Sequence, residues 1–364
     1  RGMWSAPLTL NRRVVTDGKR VFVTFGYKAP VSVLDAATGE EIRTLAGTMG
    51  ADEVILADGV LLVCVREQLS VASPPKTKPK RRLNPHEFTI GPPGPATIVA
   101  IDADSGKRLW KSEPQPVVVL TLCAAEGRVC YSDRKEIVCL DLATGERRWS
   151  AACRAPGGSR HSGGTLVLHD DVVLFTAADG VTAFDAENGE KLWTGPRVSG
   201  PGISHPADLF VADGLVWGGD EPGMNSRQRT AVKRDGRDPK TGEVRRTVEV
   251  PQLFSPLHHV RCYRSKATDR FLLLTKRGVE FLDLKGDEHM RNDWLRAMCH
   301  YGVVPANGLL YVPPSHCFCY PGVKLTGFLA LADERSVGAE GRVAEQEGRL
   351  EKGPSYETIP NPKS

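Results

Sequence analysis

Apolar residues along this chain fall in short runs, and each run ends in a turn signal instead of recurring at helical spacing. Examples are "DGVLLVCV" at 58–65, "EGRVCYS" at 126–132 and "DDVVLFTA" at 170–177. "DGLVWGG" at 213–219, "DRFLLLT" at 269–275 and "NGLLYVP" at 307–313 continue the series. A short apolar run rich in β-branched residues and bounded by Gly, Asp or Asn predicts a buried strand. A second pattern alternates with the first: an apolar run, then Asp-x-x-Thr-Gly, then charged residues and a large side chain. It reads "VSVLDAATGEEIRTL" from Val31, "IVAIDADSGKRLW" from Ile98, "IVCLDLATGERRW" from Ile137 and "VTAFDAENGEKLW" from Val181. Weaker copies are "GRDPKTGEVRRTV" from Gly236 and "VEFLDLKGDEHMRNDW" from Val279.

The leading aspartates of these copies are Asp35, Asp102, Asp141, Asp185, Asp238 and Asp283, with gaps of 67, 39, 44, 53 and 45 residues. In each copy the Asp and Thr can cap turn amides, and the Gly supplies the positive φ that closes the turn. One unit is therefore about four short antiparallel strands in roughly forty to fifty residues, the period of a propeller blade. The pattern predicts an all-β chain: a β-propeller of four-stranded antiparallel blades over residues 1–331, seven to eight in number. The abrupt start beside "RVFVTFG" suggests a piece of a longer protein, and the family resemblance given below implies a ring incomplete at its N-terminus.

Two segments break the texture. Residues 73–95 hold the long first gap, with Lys76, Lys78, Lys80, Arg81 and Arg82 set among prolines. Proline cannot donate to a ladder, so this stretch predicts a surface loop that can meet an acidic partner, a glycan or lipid head groups. Residues 332–364 are charged and poor in large apolar residues, the composition of a linker or tail.

Composition narrows the classes. The chain has 364 residues, a net charge of +4 and 40% hydrophobic residues, enough for a sizeable core. The charges are interspersed, which argues against nucleic acid, and no apolar run is long enough to span a bilayer as a helix. No GxSxG elbow, P-loop or HExxH helix is present. The prolines of "GPPGP" at 91–95 remove amide donors that a phosphate loop needs. The acidic residues sit mostly in the turns of the repeat, where capping accounts for them.

One concentration of reactive side chains lies in the last third of the chain. Cys262, Cys299, Cys317, Cys319, His259 and His316 form a candidate zinc or copper set, since thiolate and imidazole suit both ions. Cys-x-Cys does not match the usual zinc knuckle, so disulfides and core thiols stay open for the same residues. Cys64, Cys130 and Cys139 lie inside strand runs and are expected to be core. His258, His259, Arg264 and Lys266 form a candidate polar cluster at a mouth where a propeller takes a ligand or partner.

The repeat resembles that of pyrroloquinoline quinone (PQQ) dehydrogenase-like propellers, a quinoprotein superfamily that also includes the lipoprotein subunit of the outer-membrane β-barrel assembly machine. The resemblance implies that Trp110, Trp149 and Trp193 dock neighbouring blades. It also implies a periplasmic or cell-envelope location. The segments "HHVRCYRSKATDRFLLLTKRGVEFLDL" and "CHYGVVPANGLLYVPPSHCFCYPGVKLTGFLAL" resemble large bacterial propeller proteins, some fused to a methyltransferase domain; such a fusion would place the chain in the cytoplasm. Quinone-dependent members carry a vicinal Cys-Cys disulfide, and this chain has no such pair. The expectation is therefore a noncatalytic scaffold or ligand-binding module with no cofactor, whose partner is a protein or a further domain. The alternatives are a metal- or redox-cofactor-binding oxidoreductase using the Cys/His cluster, and a substrate-binding domain of a larger enzyme.

Overall fold

The computed structural model describes residues 14–26, 28–66, 72–73, 89–90, 95–156, 164–198, 207–219, 228–257, 260, 263–297, 301–314, 325 and 327–332. Strands are the only regular elements among them, as the alternating runs and turns predict. They form seven successive blades in two compact units, divided after Thr194.

The first unit holds four blades of four antiparallel strands each. The first blade runs through Val14–Thr16, Arg20–Val23, Ser32–Asp35 and Glu41–Thr44. In the second blade, Ala51–Ala57 and Val60–Val65 pair on to Thr97–Asp102 and Arg108–Lys111. The insertion leaves this blade between its second and third strands, and a two-residue ladder of Ala72–Ser73 with Thr89–Ile90 pairs its two arms. The third blade is Cys123–Ala125, Arg128–Ser132, Glu136–Asp141 and Arg147–Ala152. The fourth is Leu166–His169, Val172–Thr176, Val181–Asp185 and Lys191–Thr194.

The second unit holds the other three blades. Leu209–Ala212, Leu215–Gly218, Val232–Arg237 and Val244–Val250 make the fifth. Lys266–Ala267, Phe271–Leu274, Val279–Asp283 and Met290–Asn292 make the sixth. The seventh shows three strands among the described residues: Val304–Ala306, Leu309–Val312 and Leu329–Ala332.

The core lies between blades, and this explains why the second and third strands are continuously apolar. On the second strand of the third blade, Val129 and Tyr131 enter the core shared with the second blade, while Cys130 enters the core shared with the fourth. Likewise Leu62 and Cys64 face the third blade, and Leu61 and Val63 face the first. Both faces of such a strand are buried, so the polar half of the usual alternation is lost. Cys64, Cys130 and Cys139 are fully buried, as the strand runs predict. The fourth strands, by contrast, are mostly exposed.

Candidate functional site

The repeat's own signature residues are taken up by the fold. Asp35, Asp102, Asp141, Asp185, Asp238 and Asp283 each accept hydrogen bonds from backbone amides of the turn that follows. For Asp141 these are Ala143 N–H and Thr144 N–H, both at 2.9 Å. The other five repeat the arrangement. The Arg148 guanidinium, 2.6 Å away, and the turn amides pull the Asp141 carboxyl down to about 2. Arg270 holds Asp283 below the usual carboxylate range in the same way, paired at 2.7 Å.

Trp110 and Trp149 dock blade on blade, as the resemblance implies. Trp110 Nε1–H donates to the carbonyl of Leu142 at 2.8 Å, and Trp149 Nε1–H to that of Ala186 at 2.9 Å. Each carbonyl belongs to the residue after the turn Asp of the next blade. Each indole also lies flat against that turn's glycine: a Cβ on Gly145 would meet Trp110 at 2.6 Å, and one on Gly189 would meet Trp149 at 2.6 Å.

At two other junctions the same carbonyl is taken by arginine, which sequence reasoning missed. Arg20 Nη1–H donates to Ala103 O at 2.6 Å. Arg246, which aligns with the docking tryptophans, donates to Leu284 O at 2.7 Å. The signal that could have found Arg246 is its position, four residues after the turn Gly242, where Trp149 follows Gly145.

Within the first unit a second buried polar group sits beside the first strand of the second blade. Arg66, 1% exposed, pairs with Asp52 at 2.8 Å and donates to Val117 O at 2.5 Å. Glu53 accepts the Leu120 amide at 3.1 Å. Burial pushes the neighbouring Cys64 thiol up to about 12, which leaves it inert.

In the second unit, the described part of the expected polar mouth is Arg264 and Lys266. Arg264 spans two blades: its Nε–H bonds Asp208 at 3.1 Å, just before the first strand of the fifth blade, and its Nη2–H reaches Ala207 O at 3.3 Å. The other Asp208 oxygen accepts the Ser265 amide at 3.1 Å. Asp208 is thus satisfied by Arg264 and Ser265. The Lys266 ammonium stands two residues on, with no ion pair among the described residues. Burial, and then the nearby Arg264 charge, lower its pKa against the opposing pull of Asp208. The Ser265 hydroxyl is also buried without a hydrogen-bond partner. Asp208 was not foreseen, because 56 residues separate it from Arg264.

A second cluster lies one hairpin further along. Lys276, 1% exposed, donates to Arg229 O and lies 5.5 Å from the centre of the Phe254 ring. Burial lowers its pKa, with Glu280 opposing. Ser255 donates to Asp293 at 3.0 Å, and Arg277 and Arg291 flank the same carboxylate.

His258, His259, Cys262, Cys299, His316, Cys317 and Cys319 lie outside the described residues, so the metal set is untouched by this geometry. No group of three or more metal-ligating side chains is assembled among the described residues. Three of the described indoles are already engaged. Trp110 and Trp149 are occupied by their docks, and Trp217 is fully buried with Nε1–H on Ala212 O at 2.9 Å.

Residues 95–264, the stretch from the second blade into the sixth, match the family described as outer membrane protein assembly factor BamB. The fold is a β-propeller, and its repeat is similar to that of PQQ-like propellers. Curated relatives of this propeller include the lanthanide-dependent methanol dehydrogenase of Methylorubrum extorquens, 28% identical over 33% of the chain and 22% of that enzyme. The quinohemoprotein alcohol dehydrogenase ADH IIB of Pseudomonas putida is 25% identical over 34% of the chain and 21% of the enzyme. The alignment thus spans about a fifth of each dehydrogenase. Among solved structures, BamB from Moraxella catarrhalis superposes with a TM-score of 0.52 at 15% identity, over 85% of this chain and 95% of that one. At that identity the likeness is one of fold. No helix among the described residues is long and apolar enough to cross a membrane.

Proposed function

We propose that this PQQ-like propeller is a noncatalytic interaction module of the cell envelope that holds a protein partner. The observation that carries the reading is the Lys266 ammonium, which has no ion pair among the described residues, near an Arg264–Asp208 pair, with the buried Ser265 hydroxyl unpartnered one residue earlier in the chain. A half-buried cation whose nearest described carboxylate is already held by arginine favours a carboxylate or a carbonyl-rich loop brought by a partner. The repeat's aspartates are committed to turns, and Trp110 and Trp149 to junctions. The description of the matched family, an outer membrane protein assembly factor, supports an envelope setting and a protein partner.

The relatives that are dehydrogenases favour a second reading, in which the propeller binds a redox cofactor. The missing Cys-Cys pair and the occupied indoles weigh against it.

The test is affinity capture from envelope extract with the full chain and with Lys266→Glu, partners being identified by mass spectrometry and then purified. The expected result is one defined complex whose affinity falls at least about tenfold in the variant, with circular dichroism unchanged. Equal affinity for both chains, or no defined complex, would overturn the proposal.

A further inference from the structure

Three cysteines of the third blade stand in one row across its sheet. Cys123 on the first strand is opposite Cys130 on the second, and Cys130 is opposite Cys139 on the third. Directly opposed residues of an antiparallel ladder project to the same face, so the three thiols line up there. That face looks onto the core shared with the fourth blade. All three are free thiols; Cys130 and Cys139 are fully buried, and Cys123 is partly exposed.

The backbone fixes how each pair is spaced. Asp133 N–H donates to Glu136 O, so odd-numbered residues of the second strand turn their backbone groups to the third strand. Those of Cys130 turn to the first strand, as do those of Ser132, whose carbonyl accepts the Val118 amide. Cys123–Cys130 is therefore a hydrogen-bonded pair, with Cα atoms about 5.5 Å apart, and Cys130–Cys139 a non-hydrogen-bonded pair, at about 4.5 Å. Disulfides span Cα distances of roughly 4.4–6.8 Å, so both pairs can be bridged without moving a strand. Cys130 can join only one neighbour at a time.

We propose that this row is a redox site in which Cys130 forms a disulfide with either Cys123 or Cys139, and the bond passes between the two by exchange. A small-molecule disulfide such as oxidised glutathione serves as oxidant. The partly exposed Cys123, as thiolate, attacks one of its sulfurs and releases a first thiolate. Cys130, deprotonated, then attacks the Cys123 sulfur of the mixed disulfide and releases the second. The two protein thiols have lost two electrons and two protons, and the oxidant has become two thiols. In the exchange step the Cys139 thiolate attacks the Cys130 sulfur and Cys123 leaves as thiolate, with no net oxidation. The surroundings favour Cys139 in that role: a hydrogen bond from Cys130 holds its thiol below the ordinary value, aided by Arg148 and Arg128.

The test uses the full chain, since trypsin places the three cysteines on separate peptides, 112–128, 129–134 and 136–147. The folded protein is incubated with oxidised glutathione, acid-quenched, alkylated in denaturant and mapped without reduction. The expected map contains 129–134 linked to 112–128 and 129–134 linked to 136–147. Cys139→Ser should keep only the first link; Cys123→Ser, which removes the thiol that takes up the oxidant, and Cys130→Ser should show neither. Full alkylation of all three thiols in the wild-type map would overturn the proposal, whether or not any variant folds. In Cys130→Ser peptide 112–128 should carry glutathione on Cys123, and a 112–128 to 136–147 link there, or the loss of neither wild-type link in Cys123→Ser, would also overturn it.

Discussion

The turn glycines carry two separate demands, and they can be measured apart. Gly189 has φ +77° and lies under the Trp149 ring, so an alanine there meets both left-handed strain and a rigid indole. Gly214 has φ +68° with nothing within 4 Å of an added Cβ. Gly214→Ala should therefore cost only the backbone term, about 1–2 kcal/mol. Gly189→Ala should add an overpacking cost of about 1–3 kcal/mol. Urea unfolding of the two variants checks this, and equal losses would remove the contact from the account. At this scale much was legible. The Asp-x-x-Thr-Gly turns could be read directly because their chemistry is local. The tryptophan docks were implied by resemblance. The docks made by Arg20 and Arg246 were not, because a guanidinium shares with an indole only a donor nitrogen, and the accepting carbonyl leaves no trace in composition.

The turn between the third and fourth strands is the element repeated most faithfully, and it predicts a pH dependence. The Asp141 carboxyl sits near 2 in the folded chain, mainly through Arg148, against an unfolded value of about 4. A depressed carboxylate contributes stability that is present above the unfolded value and lost as pH falls toward the folded one. Asp141→Asn should lower stability at neutral pH and flatten its decline between about pH 4 and pH 2, read from thermal unfolding across that range. An unchanged acid limb would mean that the turn makes no net contribution. The elements themselves were legible because each strand is bounded by its own turn. Register was less so: Cys123 and Cys130 are equidistant from the Glu126–Gly127 turn, and Cys130 and Cys139 from Arg134–Lys135, a symmetry in the sequence that becomes evident only once the hairpins are drawn. Both Glu126 and Arg134 have positive φ, as such tight turns require.

For the whole molecule, the repeat settles the fold and leaves the function to the surface. Seven blades build their cores from pairs of neighbours, so the strongest sequence signals are spent on junctions. Residues outside the repeat, such as Lys266 and Ser265, are then where a binding role is proposed. Arg264 and Lys266 could be singled out by their clustering in the sequence. Their dependence on Asp208 could not, because it is set by how the fifth and sixth blades meet. The expected metal ligands lie outside the described residues, so they add nothing to that contrast.

The central proposal is that this propeller works as an interaction module without binding a quinone. The most direct test is calorimetric titration of the full chain with pyrroloquinoline quinone, with Ca²⁺ and separately with a lanthanide ion, beside a dye-coupled alcohol oxidation assay. The account predicts no saturable heat with a Kd tighter than about 1 mM, and no turnover. Stoichiometric binding at micromolar Kd, or alcohol-dependent dye reduction, would contradict it.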